Sequence, residues 1–391
     1  MRWKFYTPGE RPEEDAQRAG VISRIDAWWK AFEAKAESLD ALFNGRSEWD
    51  LVAWMERELQ TIDSRLMWEF GPGSSGGHRL VITPEANYQL RPLAEKIVAR
   101  APSLPAWTFF AHRWPESVEQ MSATVKARTG VEPAFTGVAL TPGQFNRVDL
   151  LFQFPQSFLT ARHSIARGQA FLAALSLLGE ELLVDWAGLL DVAAEVPEPL
   201  PAGAVRRAFI ALAARQRSGI PAQPFLDRID AAAWTEIDLK PKKQEDYFHR
   251  YDLGAAVTCA PDLWRNAHSN QLFWSGRFSR ANETFCYLKL DRGRPLRRSA
   301  VGERIKNEDA LNRTLRPQRL GCVIGGGSGR RYDYIDLALI DVPAAASVIR
   351  SVLQQSGLAK RRAWIQFFDN VLGAEWIGLW PDGPPPPMPA T

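Results

Sequence analysis

The chain has 391 residues, of which 46% are hydrophobic and 11% aromatic, and its formal net charge is +3. This length allows two or three domains, and the aromatic content excludes a chain that is disordered over most of its length. No apolar run approaches the ~18 residues that span a bilayer, which argues against a membrane protein. The first residues, MRWKFYTPGERPEED, lack the apolar core of a signal peptide, so we expect a cytoplasmic protein.

Residues 11 to 65 show the periodicity of two amphipathic helices. Ile22, Ile25 and Trp29 recur at spacings of three and four, which places them on one helical face. The NGRS stretch that follows interrupts the pattern, and Ser47 is the expected N-cap of the next helix.

From residue 66 the pattern changes to strand, glycine-rich loop, strand, helix, strand. The loop is GPGSSGG, and the helix is expected to start with Thr83 as its N-cap and Pro84 in its first turn. The strand-like run PAWTFFAHR follows the helix. The order of elements is therefore ββαβ.

A similar order recurs twice. Residues 321 to 369 repeat it with the helix VPAAASVIRSVLQQSGL and the strand RRAWIQFFD, and a weaker copy occupies residues 135 to 192. We therefore predict an α+β fold of repeated ββαβ modules with mostly antiparallel sheets, preceded by an N-terminal helical pair. Residues at alternate strand positions are expected to be buried. They are Leu80, Ile82, Ile335, Leu337, Ile365 and Phe367.

Proline-rich stretches divide the chain into predicted domains. The predicted divisions are 1–65 for the N-terminal helices packing on the first domain, 66–192 for an α+β domain with two ββαβ-like modules, 193–225 for a linker with one helix, 226–380 for a second α+β domain, and 381–391 for a proline-rich disordered tail.

The stretch GGGSGRRYDYIDLALID, residues 325–341, raises the question of a phosphate-binding loop. Such a loop needs a helix directly after the glycines, and here a strand-like run follows. We favour a hairpin turn in which the glycines adopt positive φ. The alternative is an anion held by Arg330 and Arg331 against exposed turn amides, with Arg297 and Arg298 as further candidate anion-binding residues.

Catalytic signals are weak in this sequence. His249 lies near Glu245, Asp246 and Asp252, which would suit a general base with an orienting carboxylate, although a solvated polar stretch explains the same pattern. The histidines form no His-Glu-x-x-His motif and the three cysteines no Cys-x-x-Cys pair, so no metal or other cofactor is expected and the cysteines should be reduced core residues.

The segment 292–331 is strongly basic, with arginines and lysines far outnumbering acids. It could meet nucleic acid or an acidic protein surface, although aromatic residues that would stack on bases are not interleaved with its arginines. A long exposed connection is the interpretation that we favour.

The stretch from AWWKAFEAKAESLDALF through GPGSSGGHRLVITPEANYQL to PAWTFFAHR resembles a family of uncharacterised bacterial proteins. These have a tryptophan-rich helix, a glycine hairpin and a helix start of the form Ile-Ser/Thr-Pro-Glu. The resemblance covers about a quarter of the chain and implies a bacterial protein, with no activity to transfer.

Two classes of function follow. The first is a non-catalytic cytoplasmic protein that binds a protein partner, as an immunity or accessory factor does. The second is an enzyme or binder acting on a phosphorylated or nucleic-acid ligand through the arginine-rich segment. We lean against an enzyme. The two classes differ in where the structure should place exposed aromatic side chains relative to the arginines and His249.

Overall fold

The computed structural model describes residues 12–73, 76–85, 87–240, 250–292, 298–355, 362–373, 375–380 and 383–387, with the backbone alone for residues 12 and 298–301. This part of the chain forms two compact units, Pro12–Ala213 and the described residues from Ala214 onward. Both combine helices with β-sheet, so the fold is of the α+β class. The division falls within a helix inside the segment predicted to connect two domains.

The first unit has two small sheets with helices around them. Its elements are α1 (Pro12–Phe43), α2 (Leu51–Glu58), β1 (Met67–Pro72), β2 (His78–Thr83), α3 (Arg91–Val98), β3 (Trp107–Phe110), α4 (Val118–Thr129), β4 (Gly137–Pro142), β5 (Val148–Gln153), α5 (Gln156–Leu178), α6 (Glu180–Trp186), β6 (Ala187–Ala193) and α7 (Ala202–Gly219), which runs into the second unit. The sheets have the orders β1-β2-β3 and β4-β5-β6. In each, the first pair is antiparallel and the second parallel. A parallel pair needs a crossover, which α3 supplies in the first sheet and α5 with α6 in the second.

The predicted N-terminal helices are present as α1 and α2. Their apolar faces share a core with the first sheet and α3, in which Trp28, Phe32 and Ile82 are buried. The predicted N-cap of α2 was wrong, because Asp50 rather than Ser47 accepts the hydrogen bond from the Ala53 amide.

Thr83 does not cap the predicted helix. Its hydroxyl accepts from the Glu85 amide and donates to both carboxylate oxygens of Glu180, at 2.9 and 2.8 Å. The chain then makes a 3₁₀ turn, Tyr88–Leu90, before α3 begins at Arg91. The predicted N-cap at Thr83 was wrong because the Thr83 hydroxyl instead joins the two halves of the first unit.

The second unit contains one large sheet. Its elements are α8 (Phe225–Arg228), β7 (Thr235–Asp238), β8 (Leu253–Thr258), α9 (Pro261–Ala267), β9 (Thr284–Asp291), α10 (Arg298–Leu315), β10 (Gly321–Gly329), β11 (Tyr332–Leu339), α11 (Val342–Gln355), β12 (Ala363–Phe367) and β13 (Trp376–Gly378). The strand order is β13-β12-β9-β11-β10-β8-β7, and neighbouring strands are antiparallel throughout. In the sheet, β9 therefore lies between β11 and β12, although it comes before both of them in the chain.

One face of this sheet forms a core with α10 and α11. It includes Leu288 of β9, Leu311 of α10 and Ile349 of α11, all fully buried. The prediction of burial at alternate strand positions is confirmed in both units. The residues are Leu80, Ile82, Ile335, Leu337, Ile365 and Phe367, each at most 1% exposed.

The two glycine-rich stretches have different structural roles. In the first unit Gly76 and Gly77 adopt φ of 95° and 73° between β1 and β2, as predicted for a tight connection. The glycines from Gly325 to Gly329 instead lie inside β10, paired with β11 on one side and β8 on the other. None of them has positive φ. The predicted hairpin between β10 and β11 is confirmed, but its turn is formed by Arg330 and Arg331.

These strand glycines are needed because neighbours approach closely. A Cβ on Gly327 would lie 2.6 Å from the Ala255 carbonyl oxygen, and one on Gly329 would overlap the Asp252 carboxylate. The absence of a side chain at Gly329 leaves room for Asp252 beside the turn.

Candidate functional site

The turn amides predicted to hold an anion are already engaged by the protein. The Asp252 carboxylate accepts from the Arg331 and Tyr332 amides, each at 3.2 Å, and from the Tyr334 hydroxyl at 2.6 Å. The Arg330 amide donates to the Asp252 carbonyl oxygen at 2.9 Å. The hypothesis from the sequence that exposed turn amides bind an anion is therefore wrong. Asp252 was also one of the three acidic residues considered as an orienting carboxylate for His249, and its carboxylate is occupied by these contacts.

The arginine side chains at this turn are arranged around a different carboxylate. Asp291, at the end of β9, has a side chain 1% exposed, and its Oδ2 lies 3.1 Å from Nη2 of Arg331 and 3.1 Å from Nη1 of Arg362. Arg331 is 32% and Arg362 55% exposed at the side chain. The neighbouring Arg330 is exposed as well. One buried carboxylate thus holds two accessible guanidinium groups.

The remaining predicted site residues cannot be placed in this cluster. His249 and Arg297 lie outside the described residues, and Arg298 is the first residue of α10, where the backbone alone is described.

The basic segment 292–331 is chiefly helix and strand, so the favoured interpretation of a long exposed connection was wrong. Much of its charge is neutralised by carboxylates of the second unit, most of which lie outside the segment. The ion pairs are Arg292–Asp333, Arg304–Glu308, Arg316–Asp230, Arg319–Asp227 and Arg331–Asp291. The sequence count overstated the available positive charge because the partners of these arginines are mostly distant in sequence.

Glu308 is the most perturbed partner in these pairs. It lies with Arg304 on α10 over Gly326 of β10, where a Cβ would overlap its carboxylate. Burial raises the pKa of the Glu308 carboxyl to about 7, against the opposing effect of Arg304.

A cleft of about 290 Å³ opens in the first unit, among β1, α4, α5 and the chain between β3 and α4. Its apolar lining comes from Trp114, Ala127, Leu172 and Leu175, and its polar lining from Glu69, Arg113, Glu116, Thr124, Arg128 and Ser176. The tryptophan side of the cleft is open to solvent, since Trp114 is 43% exposed.

Local sequence explains how the cleft is built. α4 starts with a capping box at Ser117 and Gln120, so the chain turns into the helix directly after Trp114 and Pro115. Residues 124, 127 and 128 of α4 share one face, and 172, 175 and 176 of α5 share another, as their spacings require. Gly179, at φ 80°, lets residues 113–115 run against the end of α5, where a Cβ would lie 3.0 Å from Pro115.

The charged side of the cleft is fixed by ion pairs. Arg113 donates from Nη2 to Glu85 at 2.7 Å, and its Nε lies 3.4 Å from Glu69. The Arg113 amide donates to Glu180 at 2.9 Å, which joins this segment to α6. Arg128, exposed on α4, has no ion-pair partner within the described ranges. It is therefore the cation at the cleft that is available to a ligand.

Sequence reasoning missed this cleft. Trp114 stands between Arg113 and Pro115, outside any strand or helix period, and a tryptophan in such a position is not expected in a core. This position of Trp114 was the signal in the sequence that could have indicated an exposed aromatic side chain. The convergence of α4 and α5 on Trp114 depends on tertiary packing and could not be predicted from spacing.

The described residues include no group of three or more His, Cys, Asp or Glu side chains that could hold a metal ion. No described helix is long and apolar enough to cross a membrane. Burial raises the pKa of the Cys259 thiol to about 12, while Cys286 and Cys322 are fully buried, in line with the expected core positions.

No family model, curated protein or solved structure matches this chain. The functional argument therefore depends on the residues of the chain itself.

Proposed function

We propose that this protein binds another protein, and that the cleft of the first unit receives an apolar side chain of the partner next to a carboxylate. The observation that carries the proposal is Trp114, a large aromatic residue 43% exposed at the rim of a cleft with apolar walls. Tryptophan and arginine at a partly apolar pocket are the residues that most often dominate binding energy at protein interfaces.

The apolar walls favour an apolar anchor. Leu172 and Leu175 are half-buried on α5, and Phe110 packs against Trp114 with ring centroids 4.7 Å apart. The cleft volume of about 290 Å³ is close to the lower limit for small-ligand pockets and suits one or two side chains. Phe171, next to Leu172 in the chain, is 52% exposed and adds apolar surface on the same helix.

The charges favour a carboxylate beside that anchor. Arg113 is committed to Glu85 and Glu69, whereas Arg128 has no partner in the described part of the chain. An acidic residue of the partner placed at Arg128 would form a charge-assisted hydrogen bond at the rim. The expected partner surface therefore combines an exposed aliphatic or aromatic residue with a neighbouring Asp or Glu.

This proposal includes the finer predictions made from the sequence. We propose a cytoplasmic bacterial protein that masks its partner, as an immunity or accessory factor does. We also propose that the ββαβ segments are copies of one module. The shared order of β1-β2-β3 and β4-β5-β6 supports this, although β9 separates the last strand from the corresponding hairpin in the second unit.

The test is capture of the partner with Trp114→Ala as the variant. Tagged wild-type protein is incubated with a nuclease-treated lysate of the source organism, and a retained protein is identified, purified and titrated by calorimetry. We expect Trp114→Ala to weaken binding by about tenfold to a hundredfold, the range for a central interface tryptophan. Arg128→Ala should weaken binding by a smaller factor and reduce its salt dependence.

Trp234→Ala is the matched control, because Trp234 has a similar exposure of 47% and lies in the second unit. It should bind like the wild type. The proposal would be contradicted by an equal loss of binding in both tryptophan variants, or by unchanged binding of Trp114→Ala. It would also be contradicted if the wild type retained no protein from the nuclease-treated lysate.

A further inference from the structure

Residues 383–387, a glycine followed by four prolines, are held against the second unit by hydrogen bonds. Nε1 of Trp364 donates to the Pro384 carbonyl oxygen at 2.7 Å. The Gly383 amide donates to the carbonyl oxygen of Trp380 at 3.0 Å. This part of the proline-rich tail therefore contacts the folded unit.

The conformation of this segment follows from its sequence. Proline fixes φ at about −65°, and a following proline disfavours the helical region, so Pro384, Pro385 and Pro386 favour the polyproline II helix. This helix has about three residues per turn, so every third residue lies on the same side. The observed burial has that period, since Gly383 and Pro386 are buried while Pro384 and Pro385 are exposed. One edge of the polyproline II helix therefore faces the protein.

Trp364 is the anchor for this edge. It is 1% exposed and lies on β12 next to Ile365, whose side chain belongs to the core with α10 and α11. Because side chains alternate along a strand, Trp364 lies on the opposite face of the sheet. A buried indole N–H needs an acceptor, and the carbonyl groups of a polyproline II helix have no partners within that helix. The bond from Trp364 to Pro384 meets both requirements.

We propose that the surface at Trp364 is a binding site for a proline-rich segment of a partner protein in the polyproline II conformation, and that residues 383–387 occupy this site in the structure. The contacts use a backbone carbonyl oxygen, a glycine and prolines, which such a segment supplies without being joined to this chain. Aromatic surfaces bind these segments well because the polyproline II helix is ordered before binding. The expected ligand has a glycine or proline and, three residues later, a proline, as at Gly383 and Pro386.

The chain's own segment is then a tethered competitor of the partner. A segment joined to its site has a high effective concentration, so it lowers the apparent affinity for a free ligand. A change that removes residues 383–387 from the site should therefore increase the affinity for a proline-rich peptide.

Pro386→Asp is the decisive variant, because it places a charge at a buried position of the segment and changes no residue of the sheet. Pro385→Asp is the matched control, since Pro385 is exposed. The probe is a fluorescein-labelled peptide of residues 381–391, titrated with the full chain of each variant and followed by fluorescence anisotropy. We expect Pro386→Asp to bind the peptide about tenfold or more tightly than the wild type does, and Pro385→Asp to bind it like the wild type.

Trp364→Phe, added to the Pro386→Asp chain, tests the anchor. It keeps an aromatic ring and removes the indole N–H, so it should weaken peptide binding about threefold to tenfold, the effect of one hydrogen bond. Trp264→Phe is the control, because Trp264 is also buried in the second unit, and it should leave binding unchanged. A melting curve verifies that each variant is folded. If Trp364→Phe does not fold, a peptide that carries Pro386→Asp replaces it in the test and should not bind.

The proposal would be overturned if the Pro386→Asp chain did not bind the peptide, since the surface would then accept only its own tethered segment. Equal binding by all three chains, equal effects of the two tryptophan variants, or binding of the peptide that carries Pro386→Asp would also overturn it. A wild-type dimer that the peptide dissociates in sedimentation would assign the site to a second copy of this chain instead. The residues of this site belong to the second unit, so the result is independent of the cleft in the first unit.

Discussion

The carboxylate of Asp252, the residue immediately before β8, fixes the β10–β11 turn. Its side chain is buried and accepts hydrogen bonds from two backbone amides and the Tyr334 hydroxyl. These donors lie 79 to 82 residues away in sequence. Their hydrogen bonds therefore depend on a tertiary contact, so the conformation of the arginine turn depends on Asp252.

Asp252→Ala should lower the free energy of unfolding of the second unit by about 3 kcal/mol, because it leaves buried donors without an acceptor. Urea unfolding followed by circular dichroism measures the effect. Asp262→Ala is the control, since Asp262 is 71% exposed and paired with Arg265, and its change should stay within about 0.5 kcal/mol. A similar small loss in both variants would show that the turn does not need Asp252.

Glu308 should make stability depend on pH. Burial raises its pKa from the usual value of 4.5 to about 7 in the folded protein, so the folded state binds an extra proton between these two pH values. The stabilisation from the protonated form is therefore present at low pH and is lost as the pH rises through about 7, by about 3 kcal/mol.

The pH dependence is tested by urea unfolding of the wild type, Glu308→Gln and Glu303→Gln at about pH 5 and at about pH 8. Glutamine does not titrate, so Glu308→Gln should lose less stability than the wild type between the two conditions. Glu303 is exposed on the same helix and its replacement should leave the pH dependence unchanged. Identical pH profiles for wild type and Glu308→Gln would contradict the raised pKa.

At the scale of secondary structure, β10 is a strand in which glycine has a packing role. It lies between β8 and β11, and its glycines allow backbone and side chains of neighbouring elements to approach. Glycine normally weakens a strand. Here the cost is offset because Asp252, Arg304 and Glu308 occupy the space that side chains on β10 would need.

Gly327→Ala should destabilise the second unit by about 3 kcal/mol, since the new Cβ would lie 2.6 Å from the Ala255 carbonyl oxygen and 2.7 Å from Leu253 Cδ2. Thermal or urea unfolding measures this. Gly254→Ala in the adjacent β8 is the matched control, because its nearest neighbour would be the Ser328 carbonyl oxygen at 3.8 Å. Its effect should be within about 0.5 kcal/mol. Equal effects in both variants would show that the close approach of neighbouring atoms to β10 does not determine the loss of stability.

At the scale of the whole molecule, the periodicity of apolar residues was sufficient to predict the α+β class, the two N-terminal helices and the buried strand faces. These features depend on local patterns of apolar residues, such as Ile335 and Leu337 on one face of β11. The position of the arginine turn was misjudged because glycine in a sequence indicates conformational freedom, whereas in β10 it reflects the closeness of neighbours. The site residues Arg362 and Trp114 were missed because each acquires its role from distant elements.

The insertion of β9 between β11 and β12 has a consequence for how the second unit folds. Both hydrogen-bonding partners of β9 are synthesised after it, separated from it by α10 and, for β12, by α11 as well. Nucleation can start in the local β10–β11 hairpin, but completing the sheet requires long-range pairing, which is intrinsically slow. A nascent chain that has not yet reached Tyr332 exposes both edges of an apolar strand, so this stage of synthesis is when chaperone protection from misassembly should matter most.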